Sequence, residues 1–260
     1  RRLAVLITGV SEKAKDIDTE AKGPAKKIAQ DESGNWTKAA IGFAKGQGAN
    51  VEDIYFKEIN GIEYVHVRKF IKGLETRSAL SELSQLVTGM SFPKNMRWGN
   101  EELKFVRPIK WIVALFGEEI IPLTITTVES NRKTWGHRFL GEEIELSNAS
   151  DYERALLAQY VIVDSLERKE AVVNQIKSIE HDNDWVIPID EGLLEEVNNL
   201  VEYPTALYGK FEEEFLGLPE EVLITSMKEH QRYFPVKNKN GELLPYFITI
   251  RNGDHKHIET

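Results

Sequence analysis

Residues 190–208 read DEGLLEEVNNLVEYPTALY, and this stretch decides the fold class. Leu193, Leu194, Val197, Leu200 and Val201 recur at i, i+1, i+4, i+7 and i+8, so they line one face of a helix. Asp190 stands before the stripe as an N-cap. Pro204 ends the helix, because the residue preceding a proline is pushed out of helical geometry. Residues 205–208 then read as a short strand. A helix with one apolar stripe, followed at once by a strand, packs on a sheet. The expected class is α+β, with antiparallel or mixed sheets packed with helices in several subdomains.

C-terminal to this stretch, Pro219 sits at a first helical position with Glu220 and Glu221 behind it, predicting a helix over 219–230. Strands at 233–237 and 243–250 flank a turn at 238–241. On the N-terminal side, Asp164 with Glu167 and Ser150 with Glu153 have the spacing of capping boxes. The first heads a helix carrying Val172, Val173, Ile176 and Ile179; the second heads one through Leu156 and Leu157. With strands at 161–163 and 185–189 these make a helix-strand-helix-strand unit at 141–189 that reads as a candidate insertion. The apolar run 111–116 predicts a fully buried strand. After Gly117-Glu118 it pairs with a half-buried one in which Ile121, Leu123 and Ile125 alternate with polar residues.

Further toward the N-terminus, residues 3–9 read as a strand and residues 12–34 as a long loop. Thr37 caps a helix with Ala40, Phe43 and Ala44 on one face, ending at Gly46 and Gly48. Residues 54–59 and 63–70 about Asn60-Gly61 form the strongest hairpin signal, because both turn residues tolerate positive φ. A helix near 75–88 aligns Leu80, Leu83 and Val87. The expected division is an N-terminal α/β subdomain with the hairpin at 1–75 and an α+β domain at 76–260. The opening RRLAVLITGV, without methionine, and the polar close NGDHKHIET read as a piece of a longer polypeptide.

Composition narrows the function classes. Apolar residues at 41% and charged residues at 29% are those of a folded globular protein, and no apolar run approaches the length of a membrane span. The cytoplasm is the expected location. With no cysteine, disulfides, thiolate nucleophiles and cysteine zinc sites are excluded. The net charge of −9 is uneven: residues 1–86 carry +2, residues 87–138 carry +3 and residues 139–260 carry −14. Only the middle block offers a cationic surface, which reads either as a solvated face or as a phosphate contact.

Catalytic templates fail. The chain has no phosphate loop ending in Lys-Ser or Lys-Thr, no dinucleotide fingerprint, no His-Glu-x-x-His and no Gly-x-Ser-x-Gly. His255 and His257 have metal-ligand spacing but no third ligand, so no metal site is expected. Two basic clusters are candidate nucleic-acid contacts. Arg132, Lys133, His137 and Arg138 lie beside Trp135 and Phe139, a mixture suited to gripping phosphates and stacking a base, or else to a surface turn with buried aromatics. Lys228, His230, Gln231 and Arg232 fall at the end of helix 219–230, where cations also serve the negative end of the helix dipole.

The runs FPKNMRWG (92–99), KFVRPIKWIVALFG (104–117), GHRFLG (136–141), LLEEVNNLVEYPTALYGKFEEEFLGLP (193–219) and EVLITSMKEHQRYFPV (221–236), with RRLAVL at the start and FITIRNG near the end, resemble the beta subunit of bacterial tetrameric glycyl-tRNA synthetase in the same order. The resemblance implies a cytoplasmic beta chain joined to an alpha chain in a two-plus-two tetramer. The alpha subunit would activate glycine with ATP and Mg2+, leaving no cofactor in this chain, and the beta chain would supply tRNA-binding parts. Further helical and anticodon-binding domains would follow residue 260. The region also looks similar to the editing-type region of the phenylalanyl-tRNA synthetase beta subunit. The leading reading is a non-catalytic, tRNA-contacting module of glycine–tRNA ligase. The alternatives are hydrolytic editing with His137 or His230 as base, and a scaffold for the alpha subunit that ignores tRNA.

Overall fold

The computed structural model describes residues 2–256, so His257 of the considered histidine pair lies outside the described residues. The chain forms two compact units, Ile7–Leu83 and a second made of Arg1–Leu6 with Ser84–Thr260.

The first unit is a three-stranded antiparallel sheet with helices on one face. Its elements are β1 (Ile17–Ala25), α1 (Lys26–Ala29), α2 (Lys38–Gly46), β2 (Ile54–Ile59), β3 (Ile62–Ile71) and α3 (Thr76–Leu80), and the strand order is β1-β3-β2. The hairpin forms as expected: Ile59 faces Ile62, and Asn60 and Gly61 take φ of 52° and 78°. Val65 packs with Ala29 and Ala40 beneath Trp36, Phe43, Ile54 and Phe56. Thr37 is the N-cap of α2, but its hydroxyl donates to Ile28 O at 2.7 Å instead of capping the helix.

The loop expected at 12–34 contains β1, an edge strand that its composition disguised. Its inner-facing residues are small because α2 lies close: a Cβ on Gly23 would fall 2.7 Å from the Phe43 ring and from Val65. Its outer residues are charged and pair across the sheet, Glu20 with Lys57 at 2.6 Å and Asp18 with Arg68 at 3.8 Å. Residues 3–9, expected as a strand, are irregular, with Leu3, Val5, Leu6 and Ile7 exposed. Strand propensity without a ladder partner does not make a strand. The helix expected over 75–88 is broken into α3 and α4 (Leu83–Thr88), and Leu83 and Leu86 are exposed.

The second unit begins with short strands: β4 (Ile112–Val113), β5 (Leu115–Phe116), β6 (Glu119–Ile120), β7 (Thr124–Ile125), β8 (Val128–Asn131), β9 (Lys133–Trp135) and β10 (Glu143–Glu145). The run 111–116 is not one buried strand. It changes partner at Ala114, from a parallel pairing of β4 with β8 to the β5–β6 hairpin, and all of it is half-buried. Ile121, Leu123 and Ile125 alternate as expected, all three buried; the Ser130 hydroxyl holds this segment by donating to Ile121 O at 2.6 Å and accepting Leu123 N–H at 2.8 Å.

Helices α5 (Tyr152–Leu157), α6 (Ser165–Asn183) and α7 (Glu191–Leu200) follow, then β11 (Pro204–Lys210), α8 (Glu220–Thr225), β12 (Phe234–Lys237) and β13 (Leu243–Asn252). The sheet order is β11-β13-β12, all antiparallel. Its core joins Val172 and Ile176 of α6 and Leu193, Leu194 and Val197 of α7 to Ala206, Phe234, Val236 and Ile248. Asp164 caps α6 by accepting Leu166 and Glu167 N–H, and Asp190 caps α7 through Leu193 N–H at 2.8 Å. Leu200, placed in the stripe, is exposed at the last helical position. Ser150 does not cap. Asn148 does, accepting Ser150 N–H one turn earlier at 3.0 Å.

Residues 161–163 join no ladder, since Ile162 makes one main-chain bond, to Glu202 O at 2.8 Å. Of 185–189, only Val186 bridges, to Lys237. Pro219 is an extended N-cap and not the first helical residue, and α8 passes into a π-helical turn at Ser226–Gln231 that ends on Arg232 with φ of 60°.

Candidate nucleic-acid interface

Strands β9 and β10 pair with Glu143 opposite Trp135, and the connection between them folds back on itself. Gly136 N–H donates to Glu142 O and Gly141 N–H to His137 O, each at 2.8 Å. The end of α5 clamps this loop: His137 N–H donates to Gln159 O and Glu142 N–H to Gln159 Oε1, again at 2.8 Å. The two glycines are required here for close approach. A Cβ on Gly141 would lie 2.6 Å from both Gln159 O and His137 N, and one on Gly136 2.5 Å from the Gln159 side chain.

Pinching the loop separates its residues by exposure. His137 turns inward, 1% exposed, with Nδ1 accepting Phe139 N–H at 3.3 Å. Phe139 is left 78% exposed, with the Arg138 guanidinium 5.4 Å from its ring centre. Arg2 braces the base by donating to Trp135 O at 3.0 Å, pairing with Glu202 at 2.8 Å and lying 5.9 Å from the Trp111 ring, which itself packs 4.9 Å from Trp135. A cation stacked on an exposed aromatic at a rigid tip can stack on a base and meet a phosphate together.

The other members of this cluster are engaged within the chain. Arg132 donates to the carbonyls of Leu146, Ser147 and Glu118, tying β8 to its neighbours. Lys133 pairs with Glu143 at 3.0 Å, which raises its ammonium pKa above the usual lysine value.

The second cluster is mostly committed to α7. Lys228 bonds Asp190 at 2.6 Å and, with Leu193 N–H, holds that carboxylate below its ordinary pKa. Arg232 pairs with Glu196 at 2.8 Å and donates to Glu229 O at 2.7 Å, closing the π turn. His230 and Gln231 are exposed, His230 beside a groove of about 450 Å3 with Val222 and Thr225. Among the described residues no group of three or more His, Cys, Asp or Glu side chains is placed to hold a metal, and no helix is long and apolar enough to cross a membrane.

The family model for the glycyl-tRNA synthetase beta subunit matches residues 1–260. The chain belongs to the glycyl-tRNA synthetase beta subunit family. Its relatives include glycine–tRNA ligase beta subunits of Bacillus subtilis, 64% identical over 259 residues, Halalkalibacterium halodurans, 61% identical over 259, and Listeria monocytogenes, 53% identical over 260. All of this chain is covered in each comparison, but only 37–38% of the relative, so this family member spans well under half the length of those proteins.

Arg2, Gln159 and the glycine pair were missed as determinants of the 136–141 loop. The one signal in the sequence was the spacing in GHRFLG, two glycines bracketing a His-Arg-Phe-Leu tip.

Proposed function

We propose that the chain is a non-catalytic, tRNA-contacting part of the beta subunit of a glycine–tRNA ligase, and that it reaches tRNA with the tip of the 136–141 loop. The observation carrying this is Arg138 stacked on a 78%-exposed Phe139 above a clamped base. At a tip held by the Gln159 bonds that ring presents an uncovered face on which a base can stack. The adjacent guanidinium favours a polyanion as the cover. In this reading glycine activation with ATP and Mg2+ belongs to an alpha subunit, the partner of this chain, in the cytoplasm. The likeness to the editing-type region of the phenylalanyl-tRNA synthetase beta subunit is part of the same reading, without its chemistry: burial of His137 removes that ring as an accessible base for hydrolysis.

The test is a titration of the chain with glycine tRNA across salt concentrations, in parallel with the double variant Arg138→Ala, Phe139→Ala. Binding that weakens with salt and is lost in the folded variant is expected. Absence of binding at low salt, or binding equal in parent and variant, overturns the reading.

A further inference from the structure

In β3 the alternation of side chains divides two functions. Val65 and Val67 are fully buried. Tyr64, His66, Arg68 and Phe70 alternate with them and so lie on the opposite face of the sheet. Tyr55 of β2 is registered with His66, their rings 5.9 Å apart, and Lys57 is registered with Tyr64. From β1, the Lys22 ammonium lies 3.6 Å over the Tyr64 ring. This face is therefore a band of aromatics interleaved with cations. It borders an open cleft of about 1150 Å3 to which the end of α2 contributes Lys45 and the sheet contributes Tyr55, Lys57, Arg68, Lys69 and Phe70.

Two features indicate what fits there. Phe70, near the C-terminal end of β3, is 66% exposed and leaves much of its ring uncovered. The cleft also carries four cations against two carboxylates, and one of those, Glu20, is already bonded to Lys57 and to the Tyr55 hydroxyl, which lowers its pKa. Lys45 and Lys69 pair with no acid among the described residues. Exposed rings and unneutralised ammonium groups lining one cleft suit bases joined by phosphates. A duplex hides its base faces in the stack and would leave the rings unused.

We propose that this cleft binds unpaired RNA nucleotides, with bases stacked on Phe70 and Tyr55 and phosphates held by Lys45 and Lys69, which reach it from the α2 side of the sheet. The proposal rests on the tRNA-contacting reading only for its natural ligand, since every residue of the site belongs to the first unit and none to the 136–141 loop.

The experiment is a fluorescence anisotropy titration of the 260-residue chain with a labelled single-stranded RNA of about eight nucleotides and with the matching duplex, the length set by the few nucleotides that such platforms cover. The variants are Phe70→Ala, Phe70→Trp and the double change Lys45→Gln, Lys69→Gln. We expect the single strand to bind more tightly than the duplex and Phe70→Ala to weaken it roughly tenfold, while Phe70→Trp keeps it. Removing two phosphate contacts should flatten the salt slope by about 1.4. Equal binding by parent and Phe70→Ala, or preference for the duplex, overturns the proposal. The two readings separate cleanly. Oligonucleotide binding without glycine tRNA binding sinks only the proposed function, whereas tRNA binding that depends on Arg138 and Phe139 and ignores Phe70 sinks only this one.

Discussion

Replacing Gln175 by leucine tests how the edge of the second unit's sheet is closed. β11 lies at the edge of the β11-β13-β12 sheet, so half of its main-chain groups have no strand partner. The Gln175 amide on α6 supplies one: its Nε2 donates to Pro204 O at 3.0 Å and its Oε1 accepts Ala206 N–H at 2.8 Å. Pro204 and Ala206 are buried, so water does not readily substitute. Leucine keeps the volume and removes both bonds. At about 1–3 kcal/mol for each buried group left unsatisfied, the loss is roughly 2–4 kcal/mol, after allowing for relaxation. Urea denaturation followed by Trp185, which packs 4.6 Å from Tyr246 and 5.4 Å from Tyr208 on this sheet, should show the midpoint falling without a change in slope. Amide exchange at Ala206 should accelerate with it. A loss under about 0.5 kcal/mol with Ala206 still protected would refute the edge-clamp argument, because that is the range of an ordinary surface change.

Gly141→Ala should cost at least the roughly 1–3 kcal/mol of an overpacked site, since its Cβ meets backbone atoms at 2.6 Å, and should weaken tRNA binding by displacing the tip; thermal unfolding and the titration check the two effects. Phe139→Ala should leave the melting temperature unchanged, the ring being almost wholly in solvent, while reducing tRNA affinity. Arg132→Ala should destabilise by about 1.5–3 kcal/mol through three carbonyls left without their charged donor, and an unchanged denaturation midpoint would return Arg132 to the RNA-contact list. Asp190 has a lowered folded pKa, through Lys228 and then Leu193 N–H, so it stabilises while ionised: the contribution is present above its unfolded value near 4 and is lost as pH falls through the lower folded value. Asp190→Asn should therefore destabilise at neutral pH, by an amount that screening keeps modest, and converge on the parent in a melting series as pH falls through the lowered folded value.

What was legible in the sequence follows from how each element is specified. The α7–β11 stretch and the 54–71 hairpin were readable because cap, stripe, proline and turn residues all act locally and agree. β1 was not, because its identity lies in its partners: the inner residues are small to admit Phe43 and the outer ones are charged to pair with Lys57 and Arg68. Likewise the run 111–116 looks uniform in sequence and divides only because two different neighbours claim its halves. At the interface, residue types were readable but their commitments were not. Nothing in RKTWGHR distinguishes an arginine spent on three carbonyls from one left at a loop tip.

The acidic second half bears on RNA binding through those same commitments. Residues 139–260 carry −14, which by itself would repel a polyanion. Part of that charge is spent on ion pairs within the fold: Asp190 at the start of α7 and Glu196 within it hold Lys228 in the π turn and Arg232 at its end, and Glu220 holds Lys237. The cations of the second cluster are thereby withdrawn from RNA in the same step. Freeing them would require breaking ion pairs that close the π turn, including the one on Arg232 in its left-handed conformation. Arg138 differs in kind. It is exposed, stacked on an aromatic and placed at the end of the cationic middle block, so it can meet a phosphate without giving up an ion pair first. An RNA contact at the second cluster should accordingly be weaker than one at the 136–141 loop and should strengthen when Glu196 is replaced by glutamine. If Glu196→Gln leaves tRNA affinity unchanged at every salt concentration, Arg232 belongs to the scaffold alone.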